Sequence, residues 1–154
     1  MDLHDFLVPA AVVADLRPAS KKQLLQQLAH RAAALTGLDE RRVLDTILER
    51  ERLGSTGFGG GVAIPHGKVE GLGQVFGLFA RLASPVDYDA LDRQPVDLVF
   101  LLLAPQGAGA DHLKALACVS RTFRDRVTTA KLRGSTSADA LYAMLANGTH
   151  SRAA

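Results

Sequence analysis

The sequence predicts an α/β fold: a single layered domain in which a mixed parallel and antiparallel sheet of about five strands is flanked by helices. Segments with helical spacing and cap residues alternate with short strand-like runs, but not as regular βαβ units. Val96 to Leu103 is a nearly continuous apolar run, which is typical of a central strand buried on both faces. At 154 residues the chain fits one domain over residues 1–154, with a core from about 5 to 146.

The first half of the chain contains two predicted helices. Ser20 is a candidate N-cap of the first helix, and Gly37 is placed to end it. Asp39 is a candidate N-cap of the second helix, which Gly54 ends. Apolar side chains at helical spacing predict one buried stripe on this second helix, formed by Val43, Leu44, Ile47 and Leu48.

The second half combines strands with two further helices. Val62 to Ile64 forms a short predicted strand that Pro65 stops, and residues 75–82 form a longer one. These two strands could be antiparallel neighbours. A third helix opens at Asp111, and a last helix runs from about Ser137 to Ala146.

Composition and charge argue against several classes of protein. The net charge is +2 and no long basic run occurs, so we expect no nucleic-acid partner. The longest apolar stretch, Leu98 to Pro105, is too short to span a bilayer, and the N-terminus lacks the features of a signal peptide. Cys118 is the single cysteine, which suits a reducing compartment. We therefore expect a cytoplasmic protein without membrane insertion.

A glycine-dense loop runs from Gly54 to Gly61. Such loops often hold phosphates, because glycine lets backbone N–H groups converge on an anion. The nucleotide fingerprints nevertheless fail here. A P-loop would need glycine in place of Val62 and serine or threonine in place of Val69, and the dinucleotide pattern also requires glycine at position 62. The residues therefore give poor support for binding of ATP, GTP or NAD.

The loop leads to His66, which stands between Pro65 and Gly67. Pro65 fixes φ and ends the strand, and Gly67 permits a close backbone approach. One ring nitrogen of such a histidine can be a nucleophile if the other donates its N–H to a backbone acceptor. Taken alone, however, His66 would favour the plainer interpretation of a histidine that caps a loop.

A second histidine, His112, follows Asp111 at the predicted start of a helix. The positive end of that helix disfavours imidazolium, so His112 could stay neutral near pH 7 and donate a hydrogen bond. The same helix end suits an anion. The alternative is an ordinary surface histidine in a first helical turn.

The segment from Gly54 to Lys68, GSTGFGGGVAIPHGK, resembles the active-site segment of a bacterial protein family. The family comprises the enzyme IIA domains of the phosphoenolpyruvate-dependent phosphotransferase system, fructose/mannitol type, and the match is closest to the nitrogen-regulatory branch. The resemblance continues through Gln94 to Leu98 and through His112, and it covers nearly the whole chain. One departure is Gly60, where the nitrogen-regulatory pattern usually has asparagine.

The resemblance implies that His66 accepts a phosphoryl group through Nε2 and that His112 hydrogen-bonds the phosphoryl oxygens. It places Arg50 at the position of a family active-site arginine, whose guanidinium would offset phosphoryl charge. Other family positions supporting the phosphoryl loop are Ser55, Thr56, Gly67 and Lys68. For the two hydroxyl residues the alternative is turn formation, and for the lysine it is a solvated cation.

The resemblance also implies partners and leaves three functions open. The donor would be an HPr-like carrier (NPr), with no metal and no bound cofactor. Apolar residues would lie at the rim, with Phe58 a candidate for which simple packing is an equal alternative. The chain could be a regulatory IIA protein acting on downstream regulated proteins, or a sugar-uptake IIA subunit serving a IIB domain for fructose or mannitol. The third possibility is a metal-binding or hydrolytic site made by His66, His112 and a carboxylate such as Asp111.

Overall fold

A computed structural model describes the backbone of residues 1–153 and the side chains of residues 1–147. Within this part of the chain, six strands form one mixed sheet and five α-helices flank it. The strands are β1 (Val12–Leu16), β2 (Gly57–Gly59), β3 (Val62–Ala63), β4 (His66–Val69), β5 (Phe76–Val86) and β6 (Val96–Pro105). The helices are α1 (Lys21–Thr36), α2 (Glu40–Arg52), α3 (Ala110–Arg124), α4 (Arg126–Arg133) and α5 (Ala138–Ala153). Two short 3₁₀ turns precede β1, at Leu3–Asp5 and Pro9–Ala11. This arrangement confirms the predicted layered α/β domain.

The predicted central strand is confirmed as β6. Its side chains from Leu98 to Ala104 are fully buried, as a strand covered on both faces requires. Strand β5 pairs with β6 in antiparallel orientation on one side, and β1 pairs with β5 in parallel. On the other side β3 and β4 both pair with β6 in parallel, with His66 opposite Leu102. Strand β2 adds an antiparallel edge to β3.

One predicted neighbour relation is wrong. The segments 62–64 and 75–82 are not antiparallel neighbours, because β6 lies between them and pairs with both. The physical reason is the continuous apolar character of β6, which makes it the most deeply buried strand. A strand at that position has a hydrogen-bonded neighbour on each of its two edges.

The helix-capping predictions for the first two helices are confirmed. The Ser20 side chain accepts a hydrogen bond from the backbone N–H of Gln23, and Gly37 adopts a left-handed conformation with φ of 78°. Asp39 accepts from the N–H of Arg42 at the start of α2. These local signals fix where the α1–α2 hairpin turns, and therefore where α2 lies against the sheet.

The later helices differ in part from the prediction. Helix α3 begins one residue before Asp111, and α5 extends beyond Ala146 to Ala153. Helix α4 was not predicted as a separate element; Asp125 caps it by accepting from the N–H groups of Val127 and Thr128. The last residue of the predicted domain, Ala154, lies outside the described residues.

The apolar stripe of α2 is only partly buried. Val43 and Ile47 are fully buried, whereas Leu44 and Leu48 are half-exposed at its margin. The predicted stripe was therefore too wide. Helix α2 buries the face that packs on α1 and β4, and the two leucines lie at the edge of that contact.

Helix α2 approaches β4 closely because Gly67 has no side chain. A Cβ atom on Gly67 would lie 2.5 Å from Cγ2 of Thr46, well inside van der Waals contact. The Thr46 rotamer is held by a hydrogen bond of 2.8 Å from its hydroxyl to the carbonyl of Arg42. This close packing brings the C-terminal turn of α2 to the strand that begins at His66.

We predict that Gly67→Ala destabilises the fold by about 1–3 kcal/mol, because the added methyl group overpacks the α2–β4 contact. Urea denaturation measures the change in the free energy of unfolding. The double variant Gly67→Ala/Thr46→Ser, which removes Cγ2 but keeps the hydroxyl, should recover most of the loss. Gly73→Ala is the matched control, since no atom lies within 4 Å of its Cβ position. An unaffected Gly67→Ala protein would contradict the packing argument.

Candidate active site

His66 is the first residue of β4, directly after the Ile64–Pro65 break that separates β4 from β3. Its Nδ1 lies 2.8 Å from the carbonyl oxygen of Ile64. A carbonyl can only accept, so Nδ1 must carry the proton and donate it. The tautomer is thereby set, and Nε2 keeps its lone pair. This is the geometry that a nucleophilic imidazole requires.

The surroundings of His66 favour its neutral form. Burial is the largest influence and lowers the pKa of the imidazole below its ordinary value of 6.5. The hydrogen bond to Ile64 opposes this effect, the positive charge of Arg50 lowers the pKa further, and the negative charge of Glu51 raises it. At neutral pH the ring is therefore uncharged, and its Nε2 is available as a nucleophile.

His112 is the third residue of α3, and its ring lies beside that of His66. The ring centroids are 5.9 Å apart and the planes are tilted by 43°. Burial lowers the pKa of His112, and the His66 ring, when it is protonated, and the positive charge of Lys68 add to the effect. The sequence predicted a neutral histidine from the helix end, but burial is the larger cause. Nδ1 of His112 is buried and has no hydrogen-bond partner among the described side chains and backbone, so no protein contact there fixes its tautomer.

Arg50 lies in the last turn of α2 on the same side as His66. Its Nη1 donates a hydrogen bond of 2.9 Å to the carbonyl of Gly54. Within the described part of the chain Arg50 forms no ion pair. A guanidinium carries five N–H donors, so the bond to Gly54 leaves most of them available. After burial, the positive charge of Arg50 is a further influence that lowers the pKa of His66. A cation with free donors therefore stands next to the candidate nucleophile.

The hydroxyl groups of Ser55 and Thr56 hold the loop. The Ser55 hydroxyl donates to the carbonyl of Tyr88 at 3.2 Å and accepts from the N–H of Gly57 at 3.1 Å. Thr56 is buried; its N–H donates to Glu51 at 3.1 Å, and its hydroxyl contacts both Glu51 and the Tyr88 hydroxyl. These contacts match the turn-forming alternative for both residues.

Glu51 and Tyr88 form a buried polar cluster that the sequence interpretation missed. The Glu51 side chain is only 5% exposed; it accepts from the Tyr88 hydroxyl at 3.1 Å and forms an ion pair of 3.0 Å with Lys21 Nζ. The Lys21 ammonium also lies 4.3 Å from the centre of the Tyr88 ring. Burial and then the Glu51 charge raise the pKa of Tyr88 far above its ordinary value, so its hydroxyl stays protonated. One signal was available in the sequence: a carboxylate in the last turn of a predicted helix, where cations are favoured.

Lys68 and Gly67 lie on opposite faces of β4. Lys68 is exposed and shares a strand face with His66, two residues away, and its charge lowers the pKa of His112. Gly67 faces Thr46 of α2 and acts through packing. Lys68 thus contributes positive charge beside the two histidines, and Gly67 contributes the approach of α2.

The far side of the glycine loop is held through its backbone at Gly60. The Gly60 N–H donates to Asp92 at 3.0 Å, and its carbonyl accepts from Arg133 at 2.6 Å. Arg133 in turn pairs with Asp97 at 2.9 Å. Gly60 has φ of +66° and no atom lies within 4 Å of its Cβ position, so an asparagine would fit sterically. The loop is therefore fixed at this point without the side chain that the nitrogen-regulatory pattern has.

Two exposed leucines lie next to site residues. Leu53 is 84% exposed and precedes Gly54, whose carbonyl binds Arg50, and Leu113 is 66% exposed and follows His112. Phe58, the residue expected at the rim, is half-buried and packs against the core. The sequence interpretation did not single out these two leucines, which are the exposed apolar residues adjacent in sequence to Gly54 and His112.

The metal-site alternative gains no support from the described geometry. Among side chains up to Asn147, no three histidine, cysteine or acidic residues cluster in a way that could hold a metal ion. His66 and His112 therefore lack the third ligand that this alternative needed. None of the helices within the described residues has the length and apolar character that crossing a membrane requires.

The family model described as "Phosphoenolpyruvate-dependent sugar phosphotransferase system, EIIA 2" matches residues 5–148. The chain belongs to this EIIA type-2 family. A nitrogen regulatory protein of Bradyrhizobium diazoefficiens is 56% identical over 146 residues, with 95% of each chain covered. The resemblance seen in the glycine loop is therefore confirmed along nearly the whole chain.

Two further similarities support this EIIA assignment. The crystal structure of nitrogen regulatory protein IIA-Ntr from Neisseria meningitidis superposes with a TM-score of 0.88 at 36% identity, covering 93% of this chain and 98% of that one. A fructose-specific EIIA component of Haloferax volcanii is 37% identical, with 75% of each chain covered. Both regulatory and sugar-linked EIIA proteins are thus among the relatives of this EIIA chain.

We predict that Arg50→Gln raises the pKa of His66 relative to the native chain, because it removes a positive charge that disfavours imidazolium. An NMR titration of the His66 ring protons measures the pKa directly. Arg52→Gln is the matched control: Arg52 lies in the same helical turn but is exposed, and it forms no ion pair within the described residues. Equal His66 pKa values in the native and Arg50→Gln proteins would show that Arg50 is electrostatically remote from the ring.

Proposed function

We propose that His66 accepts a phosphoryl group on Nε2 from the phosphohistidine of an HPr-like carrier protein (NPr). The single observation that carries this proposal is the hydrogen bond from His66 Nδ1 to the carbonyl of Ile64, which leaves Nε2 unprotonated. The family membership supports it, since EIIA domains are components of a phosphotransferase system. The chain is then a phosphotransferase component whose own side chain is the acceptor.

The transfer exchanges one phosphorus–nitrogen bond for another. The lone pair on Nε2 of His66 attacks phosphorus, and the bond from phosphorus to the donor imidazole breaks with its electron pair returning to that ring. No proton has to move on His66, because the Nδ1–H stays bonded to Ile64 throughout. The protein therefore contributes positioning and electrostatic stabilisation.

Arg50 and His112 supply that stabilisation in our proposal. Arg50 has donors left over after its bond to Gly54, and a guanidinium matches the geometry of phosphoryl oxygens. His112 lies 5.9 Å from His66 between ring centroids, within reach of a group attached to Nε2. Lys68 adds a nearby positive charge. These groups stand in place before the phosphoryl group arrives, so little reorganisation accompanies the reaction.

We infer that the phosphorylated and free forms of the chain act as a signal in a nitrogen-related phosphotransferase system. Its similarity to proteins called nitrogen regulatory protein, at 56% and 36% identity, favours this role and the existence of downstream regulated partners. The fructose-specific relative favours a second candidate, in which a IIB domain takes the phosphoryl group for sugar uptake. A cytoplasmic location stays a prediction from the sequence.

We predict that His66→Ala abolishes labelling by a phosphorylated HPr-type donor, because the acceptor nitrogen is gone. Arg50→Ala and His112→Ala should keep the acceptor but slow transfer by about 100- to 1,000-fold, the usual cost of removing one preorganised electrostatic donor. The rate of radiolabel transfer measures these effects. His30→Ala is the control, since His30 is exposed on α1 and pairs with Glu40 at 2.7 Å. Full labelling of the His66→Ala protein would remove the basis of the proposal.

Reconstitution with an HPr-type donor and a sugar IIB domain separates the two candidate roles. For a regulatory protein we expect rapid labelling of His66 and only slow onward transfer to IIB and sugar. The measurement is the rate of sugar phosphorylation, with a fructose-specific EIIA component as the positive control. Fast onward transfer to sugar would instead establish the uptake role.

A further inference from the structure

Glu51 occupies a position that elementary electrostatics disfavours. It lies in the last turn of α2, where the negative end of the helix dipole repels a carboxylate. Its side chain is also only 5% exposed, so the charge has lost most of its hydration. A carboxylate placed against both penalties needs strong partners, and violations of this kind are expected at functional sites.

The partners of Glu51 come from three other parts of the chain. The backbone N–H and hydroxyl of Thr56 reach it from the glycine loop, the Tyr88 hydroxyl reaches it from the segment after β5, and the Lys21 ammonium reaches it from the start of α1. Glu51 thus ties the end of α2 to the glycine loop, and every one of these contacts is a hydrogen bond or an ion pair with the charged form.

The adjacent residue, Arg50, makes this arrangement consequential. Consecutive side chains on a helix do not face each other, so Glu51 would pair with the Arg50 guanidinium only if it lost its present partners and reoriented. Such a pair would cancel the positive charge beside His66 and occupy the donors that a phosphoryl group needs. In the structure the pairing goes elsewhere: Glu51 pairs with Lys21 at 3.0 Å, whereas Arg50 donates only to the neutral carbonyl of Gly54.

We propose that Glu51 is a positioning residue of the phosphoryl site and that Lys21 is its dedicated counter-ion, so that the pair anchors the loop through Thr56 while Arg50 stays free for the phosphoryl group. This inference rests on the proposed role of His66. It assigns a function to Lys21, a residue of α1 that lies outside the glycine loop and outside the histidine pair. The Glu51 charge also acts on His66, since it raises the pKa of the ring against the effect of Arg50.

Charge-changing variants of Lys21 test the proposal. Lys21→Met leaves the Glu51 charge without its counter-ion, so Glu51 should compete for Arg50 and slow labelling of His66 by about tenfold, within the range of coupled neighbouring charges. The pKa of His66 should rise in the same variant, because the Glu51 charge that raises it has lost its counter-ion. The other charged side chains that act on the two rings are Arg50 and Lys68, and the substitution leaves both in place. Labelling by a phosphorylated HPr-type donor and NMR titration give the two readouts.

The decisive variant is the double substitution Lys21→Met/Glu51→Gln. A glutamine keeps an oxygen for the Thr56 N–H but carries no charge, so labelling should return close to the native rate. Lys21→Arg should also retain labelling. The matched control is Lys22→Met, which removes a neighbouring exposed lysine that forms no ion pair within the described residues. A merely structural role for Lys21 predicts no rescue by Glu51→Gln.

The outcomes separate this inference from the proposed function. A native chain that the donor does not label contradicts the role of His66 itself. Normal labelling of native protein with an unaffected Lys21→Met variant, or with a double variant as slow as the single one, overturns the role of Lys21 and Glu51 alone. If Lys21→Met does not fold, Glu51→Ala serves instead: it removes both the charge and the oxygen that accepts from the Thr56 N–H, so we expect slowed labelling and a lowered His66 pKa, and native-rate labelling would overturn the proposal.

Discussion

The hydrogen bond from His66 Nδ1 to the Ile64 carbonyl is the contact on which the proposed chemistry of the site depends. Strands β3 and β4 pair with the same edge of β6, and Pro65 interrupts them. Because of this break, the Ile64 carbonyl turns toward the ring of His66. The Pro65 carbonyl still accepts from Leu102, so pairing resumes at once. The nucleophile is therefore placed by the most deeply buried strand of the sheet rather than by a mobile loop.

The groups around His66 arrive from separate elements, and each has a local physical reason. Gly67 lets α2 approach β4, which brings Arg50 beside the ring. The chain leaves the end of β6 and enters α3, which brings His112 to the same place. The glycine loop is fixed from behind by Arg133 and Asp92, so its backbone does not need an asparagine at position 60 to be held.

Local signals in the sequence were sufficient for the helix caps and the central strand, because Ser20, Asp39 and the apolar run of β6 act through neighbours in the chain. Strand order is not local, and β2 and β4 are too short and glycine-rich for intrinsic propensity to show.

The same limit applies to the site. Glu51 and Tyr88 are 37 residues apart, and nothing in either segment indicates their contact. The pairing of His112 with His66 came from the family resemblance, and spacing alone did not predict it.

The charges of the site fit one requirement of the proposed function, which is that an incoming phosphoryl group should meet cations and neutral rings. Burial and nearby positive charge lower the pKa of both histidines, so neither depends on losing a proton during the reaction. Arg50 and Lys68 supply the positive charge. Glu51 fits this pattern once Lys21 is counted with it, because the pair is neutral as a whole. A neutral pair can anchor Thr56 without altering the net charge that the phosphoryl group encounters, whereas a lone carboxylate or a lone ammonium could not.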